Sequence, residues 1–220
     1  MNLSAISGYL GMFWDGFLVT ASVSALSIAG SFLIGVIVAF GAVSRRPAVR
    51  RLARGYIGLF RNIPFIVQVF FFYFGLPEIG IYIDAFSTGT MALSIAVGAY
   101  AADVLRSGIE NVDTGVIEAA EVSGLSRFKI YRRIILPIAL RVSLRPLGSV
   151  FINLVLTTSI LSTITLNELT GNAKIVASDT FRPFEVYFFL LLFYCALTYL
   201  LSLLINLWHR RLNRFMRGAE

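Results

Sequence analysis

The sequence predicts an all-α membrane protein with five transmembrane helices, and three observations predict it. Of its 220 residues 57% are apolar and only 14% charged, with a mean hydropathy of +0.80, more than a soluble core of this size can hide. Apolar stretches recur at the length a bilayer demands, about 20 residues for a hydrocarbon layer ~30 Å thick at ~1.5 Å rise per residue. The cations gather in alternate connections between those stretches.

The first span, 16–44, carries no charge and follows Trp14, a residue suited to the interface. Its small residues Ser27, Ser31, Gly35 and Ala39 recur every fourth position, a stripe that lets a neighbouring helix approach closely. The second span, 55–76, holds one charge, Arg61, near enough to an end to snorkel. The third, 85–106, repeats the small stripe at Ser94, Gly98 and Ala102 and ends on Asp103 and Arg106. The fourth is 146–167. The fifth, 186–208, follows Arg182 and Pro183 and closes on Trp208, His209, Arg210 and Arg211. Cys195 lies alone within it, a small packing residue with no disulfide partner in the chain.

Orientation follows from the cations, which stay on the cytoplasmic side of short loops. With the N-terminus outside and the C-terminus cytoplasmic, Lys174 and Arg182 are the only two of the 19 Lys and Arg residues left outside. The N-terminal stretch Met1 to Trp14 has no Lys or Arg, so it lacks the basic start of a cleaved signal peptide, and the chain is expected to be mature as it stands, a single transmembrane domain over 1–220. The net charge of +7 does not indicate nucleic acid, because the cations punctuate apolar runs and form no wetted basic face.

The segment 107–145 is too polar to span and too patterned for a linker. It reads as two short helices joined by a turn. Asp113 or Thr114 caps the first, Glu118 and Glu121 favour its N-terminal half, Gly124 suits the left-handed residue that ends it, and Ser126 caps the second. Pro137 is expected to interrupt that second helix. Phe128, Tyr131, Ile134 and Ile135 alternate at helical spacing with Arg127, Lys129, Arg132 and Arg133, which suits a helix lying along the cytoplasmic leaflet. Ala119 and Ala120 give the first helix a smooth surface that fits a groove on a partner.

The ordered set Glu118-Ala119-Ala120, Gly124 and Ile135-Leu136-Pro137 resembles the signature loop of ABC importer permeases. The runs Phe60 to Gln68, Tyr73 to Pro77, Gly98 to Ile109 and Thr180 to Tyr187 extend the resemblance to the polar amino acid uptake subfamily, almost end to end. The resemblance implies a type I importer permease fold in a bacterial inner membrane. It implies a function as the transmembrane subunit of an ATP-driven, binding-protein-dependent importer of an amino acid, or of another small polar solute. Its implied partners are a dimer of ABC ATPase subunits, a second permease copy or paralogue, an extracytoplasmic solute-binding protein and the lipid bilayer, with no nucleic acid. Glu118, Ala119, Ala120 and Gly124 would be the ATPase-coupling residues.

No Gly-x-x-x-x-Gly-Lys-Ser/Thr loop occurs, so ATP and magnesium are expected on the partner ATPase, with no cofactor or metal in this chain and no catalytic residue. His209, the single histidine, sits beside Arg210 at a membrane exit and reads as interfacial. Polar groups inside a bundle are candidate pathway residues, because burying them otherwise costs free energy. Asn153 and Thr157 are one helical turn apart, as are Thr158 and Ser162, giving adjoining polar edges on the fourth span. Asp103 and Arg106 can pair with each other, anchor the third span at the interface, or meet the two charges of an amino acid. Many relatives carry Lys-Asp-Thr-Ser where this chain has Leu156-Thr157-Thr158-Ser159, and Glu where it has Asp103. The missing charge pair points to a less charged amino acid, or to a paralogous partner that holds the ligand. An ion-driven transporter would show internal repeats and embedded acids, which the sequence lacks apart from Asp103. A scaffold that only docks a partner gives no reason for the polar edge of the fourth span.

Overall fold

The charge-free stretch after Asp15 becomes one continuous helix, α1 (Leu10–Ala42), in the computed structural model, which describes residues 7–217, with side chains through residue 211. Its small stripe Ser27, Ser31, Gly35 and Ala39 is buried against α4 (Ala85–Glu110). Ser27 Oγ donates to the Thr90 carbonyl at 3.3 Å. A Cβ added at Gly35 would lie 2.7 Å from Ala101 Cβ, and one at Gly98 2.8 Å from Ile34 Cγ2. Both stripes are therefore helix–helix packing within the chain, where small residues let backbones close and dispersion replace lipid contact. Val23 of α1, Leu93 and Val97 of α4, Val69, Leu154, Leu161 and Ile164 form the central core. Asp84 caps α4 by accepting from Phe86 N and Ser87 N at 2.9 and 3.0 Å, and the bonds from Ser87 hold its carboxyl below the usual carboxylate range.

The second span differs from the continuous helix expected over 55–76. The chain forms α2 (Pro47–Asn62) and α3 (Phe65–Phe70), and the helical stretch Phe65–Ile79 that α3 opens is bent by 102° from α2. Pro64 is the cause. It supplies no N–H and disfavours helix at the preceding residue, so Ile63 is extended at φ −100°, ψ 128°. Buried Gln68 bridges the break, its Nε2 donating to the Phe60 and Ile63 carbonyls at 3.0 and 2.8 Å. After α3 come a π-turn (Phe71–Gly75) and a 3-10 turn (Leu76–Ile79), which Gly80 closes at φ 82°.

The fourth span is longer than expected. Helix begins at α6 (Arg127–Ile130), passes through a π-turn (Tyr131–Ile135) into α7 (Leu136–Thr157), and tightens to 3-10 geometry over Thr158–Ile164. Pro137 therefore breaks nothing. It occupies the first turn of α7, where the wider π-turn absorbs the hydrogen bond it cannot donate. Pro146 lies inside α7, not at its start. Between the fourth and fifth spans stands a helix not foreseen from sequence, α8 (Leu169–Thr180), before α9 (Pro183–Arg217). Among the described residues four helices are long and apolar enough to cross a membrane, five if the bent α2–α3 pair counts as one crossing. Phe13 of α1 stacks on Phe193 of α9 at 5.9 Å, and Gly148 of α7 admits Ile205 of α9. Cys195 is exposed on α9, not packed. The side chains of Arg214 and Arg217, counted above for orientation, lie outside the described residues.

Candidate coupling and translocation sites

The candidate coupling helix is α5 (Thr114–Val122), and local chemistry fixes both its ends. Asp113 Oδ1 accepts from Gly115 N at 2.7 Å. At the other end Gly124 takes φ 76°, its N–H reaching the Glu121 carbonyl at 3.0 Å while Leu125 N reaches Ala120 O at 3.2 Å. That pair of bonds is a Schellman motif, which satisfies carbonyls a helix end would otherwise leave bare. Glu118 and Ala119 are exposed beside Val122, which is 90% exposed, whereas Ala120 is buried and turns inward. The outward surface is thus Glu118, Ala119 and Val122, and Ala120 seats the helix on its own chain. Ser126 stands at the start of α6, but its side chain makes no capping bond.

Asp103 and Arg106 pair, Arg106 Nη2 lying 2.7 Å from Asp103 Oδ1. Asp103 is also ion-paired with Arg61 of α2, which lies 5.3 Å over the Tyr100 ring. Arg106 Nη1 meets Glu110 Oε2 at 2.5 Å, and Glu110 Oε1 meets Arg54 of α2 at 3.0 Å. Five charged side chains therefore tie α2 to the end of α4, and Arg61 is held rather than snorkelling freely. Sequence spacing showed the Asp103–Arg106 pair but not Arg54, Arg61 or Glu110, because α2 meets α4 only in the fold.

The polar edge of the fourth span is separate from that network. Ser143 Oγ of α7 donates to the Val104 carbonyl at 3.3 Å, which sets the level of Asp103 on α7. Asn153 stands further along by about 15 Å, from a rise of ~1.5 Å per residue. Asn153 is exposed, and Thr157 Oγ1 donates to its carbonyl at 2.7 Å. Thr158 is fully buried, donating to the Val155 carbonyl at 2.7 Å, and Ser162 Oγ receives Lys174 Nζ of α8 at 2.8 Å. Of these four residues only Thr158 is enclosed: Asn153 is exposed, and Thr157 and Ser162 are half-buried.

Sequence reasoning missed the most buried acid. Glu168, 0% exposed, caps α8 by accepting from Gly171 N at 2.8 Å, and also accepts from Tyr194 of α9 at 3.0 Å and Thr20 of α1 at 3.4 Å. Thr20 Oγ1 in turn accepts from Leu169 N at 3.0 Å. Burial pushes the Glu168 carboxyl above the usual carboxylate range. A signal was available: an acid directly before Leu169, Ala173 and Val176, which are spaced as one helix face. Among the described residues no group of three or more His, Cys, Asp or Glu side chains could hold a metal ion.

A helical bundle of crossings with polar edges and a smooth projecting helix defines a membrane transport component. The chain belongs to the family of binding-protein-dependent transport system inner membrane components, whose model matches residues 31–218. It is 39% identical over 97% of its length to the probable glutamine ABC transporter permease protein GlnM of Bacillus subtilis, of which 99% is covered. It is 33% identical to the glutamine transport system permease protein GlnP of Escherichia coli K12, covering 97% of each, and 35% identical to the nopaline transport system permease protein NocM of Agrobacterium fabrum, covering 90% of this chain and 87% of that one. Among solved structures it resembles an amino acid ABC transporter crystallised with histidines, at TM-score 0.90 and 33% identity over 96% of this chain and 99% of that one. The methionine transporter MetNI, at 20% identity and TM-score 0.79, shares the fold, covering 94% of this chain and 98% of that one. The chain is a multi-pass inner-membrane permease subunit of an ABC importer.

Proposed function

We propose that this permease imports an amino acid with an uncharged side chain, working as one of two permease copies or paralogues with their N-termini outside. The observation that carries the amino-acid reading is near end-to-end likeness to amino-acid permeases, with full-length coverage on both sides. The uncharged side chain is supported by Leu156 and Thr157, which put no charge where many relatives have two, and relatives named for glutamine agree with it. The edge of α7 with exposed Asn153 and half-buried Thr157 is the surface that a second permease would cover to enclose the pathway. ATP is hydrolysed on a separate ATPase pair that grips α5 through Glu118, Ala119 and Val122, while Gly124 and Ala120 hold that helix in place. A ligand-loaded binding protein acts from the other side. Such a switch needs partners that bind its two states unequally, so α5 must be held differently in each.

Reconstitution in liposomes with a candidate ABC ATPase and a candidate solute-binding protein tests the reading. Loaded binding protein should stimulate both ATP hydrolysis and entry of labelled glutamine, with unlabelled neutral polar amino acids competing better than Arg or Glu. Strongest competition by Arg or Glu with a homodimeric permease would overturn the uncharged assignment. Uptake without ATP would overturn the coupling.

A further inference from the structure

We propose that Arg45, Arg46, Arg50 and Arg51, where α1 turns into α2, form a binding site for the phosphate of an anionic phospholipid. The inference rests on the chain's place in a membrane and not on which solute it moves.

Residues 16–77 contain no Asp or Glu, yet six arginines fall between positions 45 and 61. On α2 and at its N-cap, Arg46, Arg50, Arg54 and Arg61 fall on one side of the helix by their spacing. The two deeper ones are matched, Arg54 by Glu110 and Arg61 by Asp103. The two outer ones have no acidic partner among the described residues, nor have Arg45 and Arg51, and all four are exposed. The chain's own carboxylates thus satisfy half of the stripe and leave the half at the membrane boundary open.

The rest of α2 says what meets it. The side packed on the bundle is Ala53, against Gly41, and Ile57, against Ala42 and Ala102. On the side away from the arginines Leu52 and Leu59 are 76% and 57% exposed. A helix with cations on one side and bare leucines on the other suits the interface, leucines among acyl chains and arginines at phosphate level. The turn is set for it: Arg46 N donates to Ser44 Oγ at 3.2 Å and Arg54 Nε to the Ala42 carbonyl at 3.4 Å, so the arginines fan out from a fixed corner. Arginine's fork matches phosphate oxygens two at a time, so neighbouring arginines recognise a phosphodiester. A water-facing acidic protein would match the charges but leave Leu52 and Leu59 uncovered.

Native mass spectrometry of the purified chain, with phosphatidylglycerol and phosphatidylethanolamine offered together, reads the site. Wild type should retain phosphatidylglycerol at least about tenfold over the zwitterionic lipid, and Arg45→Gln/Arg46→Gln/Arg50→Gln should lose most of that preference, each arginine contributing roughly fivefold. Leu52→Gln, which keeps every charge, should also weaken retention, while the melting temperatures of both variants show that they fold. Equal retention of the two lipids by wild type would overturn the proposal. So would an equal loss on neutralising Lys129, Arg132 and Arg133, since that marks generic attraction. Displacement by sn-glycerol 3-phosphate at the affinity of the lipid would mark a free-phosphate site. A triple variant that keeps phosphatidylglycerol but no longer binds the ATPase would make the patch a protein dock; either result overturns the lipid assignment.

Discussion

Replacing Glu168 tests how α1, α8 and α9 are held together. In Glu168→Ala the Gly171 N–H loses its acceptor and is left in a buried site, while Tyr194 keeps Thr170 at 3.0 Å and Thr20 keeps the Leu169 N–H. Loss of the cap costs about 1 kcal/mol, and an unsatisfied buried donor with the vacated volume adds roughly 1–3 kcal/mol. The total of about 2–4 kcal/mol corresponds to a fall of roughly 4–16 °C in melting temperature for a chain of this size. Glu168→Gln keeps an acceptor for Gly171 and should stay within about 1 kcal/mol of wild type. The sign of the pH effect is fixed by the raised carboxyl: the native state favours its protonated form. Its contribution is full below the ordinary carboxylate value near ~4.3 and is lost as pH rises through the elevated one. Thermal unfolding in detergent across this range, followed by the fluorescence of Trp14 and Trp208, measures it. Wild type should lose stability with rising pH relative to Glu168→Gln. Parallel curves for the two, or an alanine variant within about 1 kcal/mol of wild type, would refute the reasoning.

Gly124→Val should strain the left-handed turn by about 1–2 kcal/mol and displace α5, so reconstituted transporter should hydrolyse ATP with little solute entry; normal uptake per ATP would count against the coupling role. Gln68→Leu should leave the Phe60 and Ile63 carbonyls without their donor at the bend and cost about 2–4 kcal/mol, readable as a lower melting temperature. Asp103→Asn should loosen α2 from α4 by no more than about 1 kcal/mol, because the pairs are partly exposed, and added salt should shrink the difference; a larger, salt-independent loss would place Asp103 in a dry site.

The parts legible in sequence were those whose cause is local. A charge-free run of α1's length, the Asp113 cap, the Gly124 turn and the spacing of Asp103 and Arg106 each depend on residues a few positions apart. The bend at Ile63–Pro64 was hidden because apolar character continues across it, so a length-and-hydropathy reading joins two helices that Pro64 separates. The start of the fourth span was hidden for the opposite reason. The arginines from 127 on read as a short helix along the leaflet that Pro137 ends, yet the helix continues through them, and Ala139, Ser143 and Leu147 bury one face while the arginines stay exposed. Helix α8 was missed because it is too short and too polar to count as a span, although its buried face is apolar. Glu168 became visible only when α1, α8 and α9 closed around it. The Arg54, Arg61 and Glu110 contacts likewise join residues far apart in the chain.

The bend at Pro64 bears on how the protein reaches its membrane. Neither half of that crossing qualifies as a span by itself, since α2 carries Arg50, Arg51, Arg54 and Arg61, and the residues from Phe65 to Ile79 are too few for a bilayer. The partners that accommodate Arg54, Tyr56 and Arg61 lie on α4: Glu110, the Ile95 carbonyl and Asp103. They are made later in synthesis. The Arg54–Glu110 and Arg61–Asp103 pairs can therefore form only after α4 has been made, so a variant that delays α4 should leave the Arg-rich α2–α3 hairpin more open to proteolysis during biogenesis than α1.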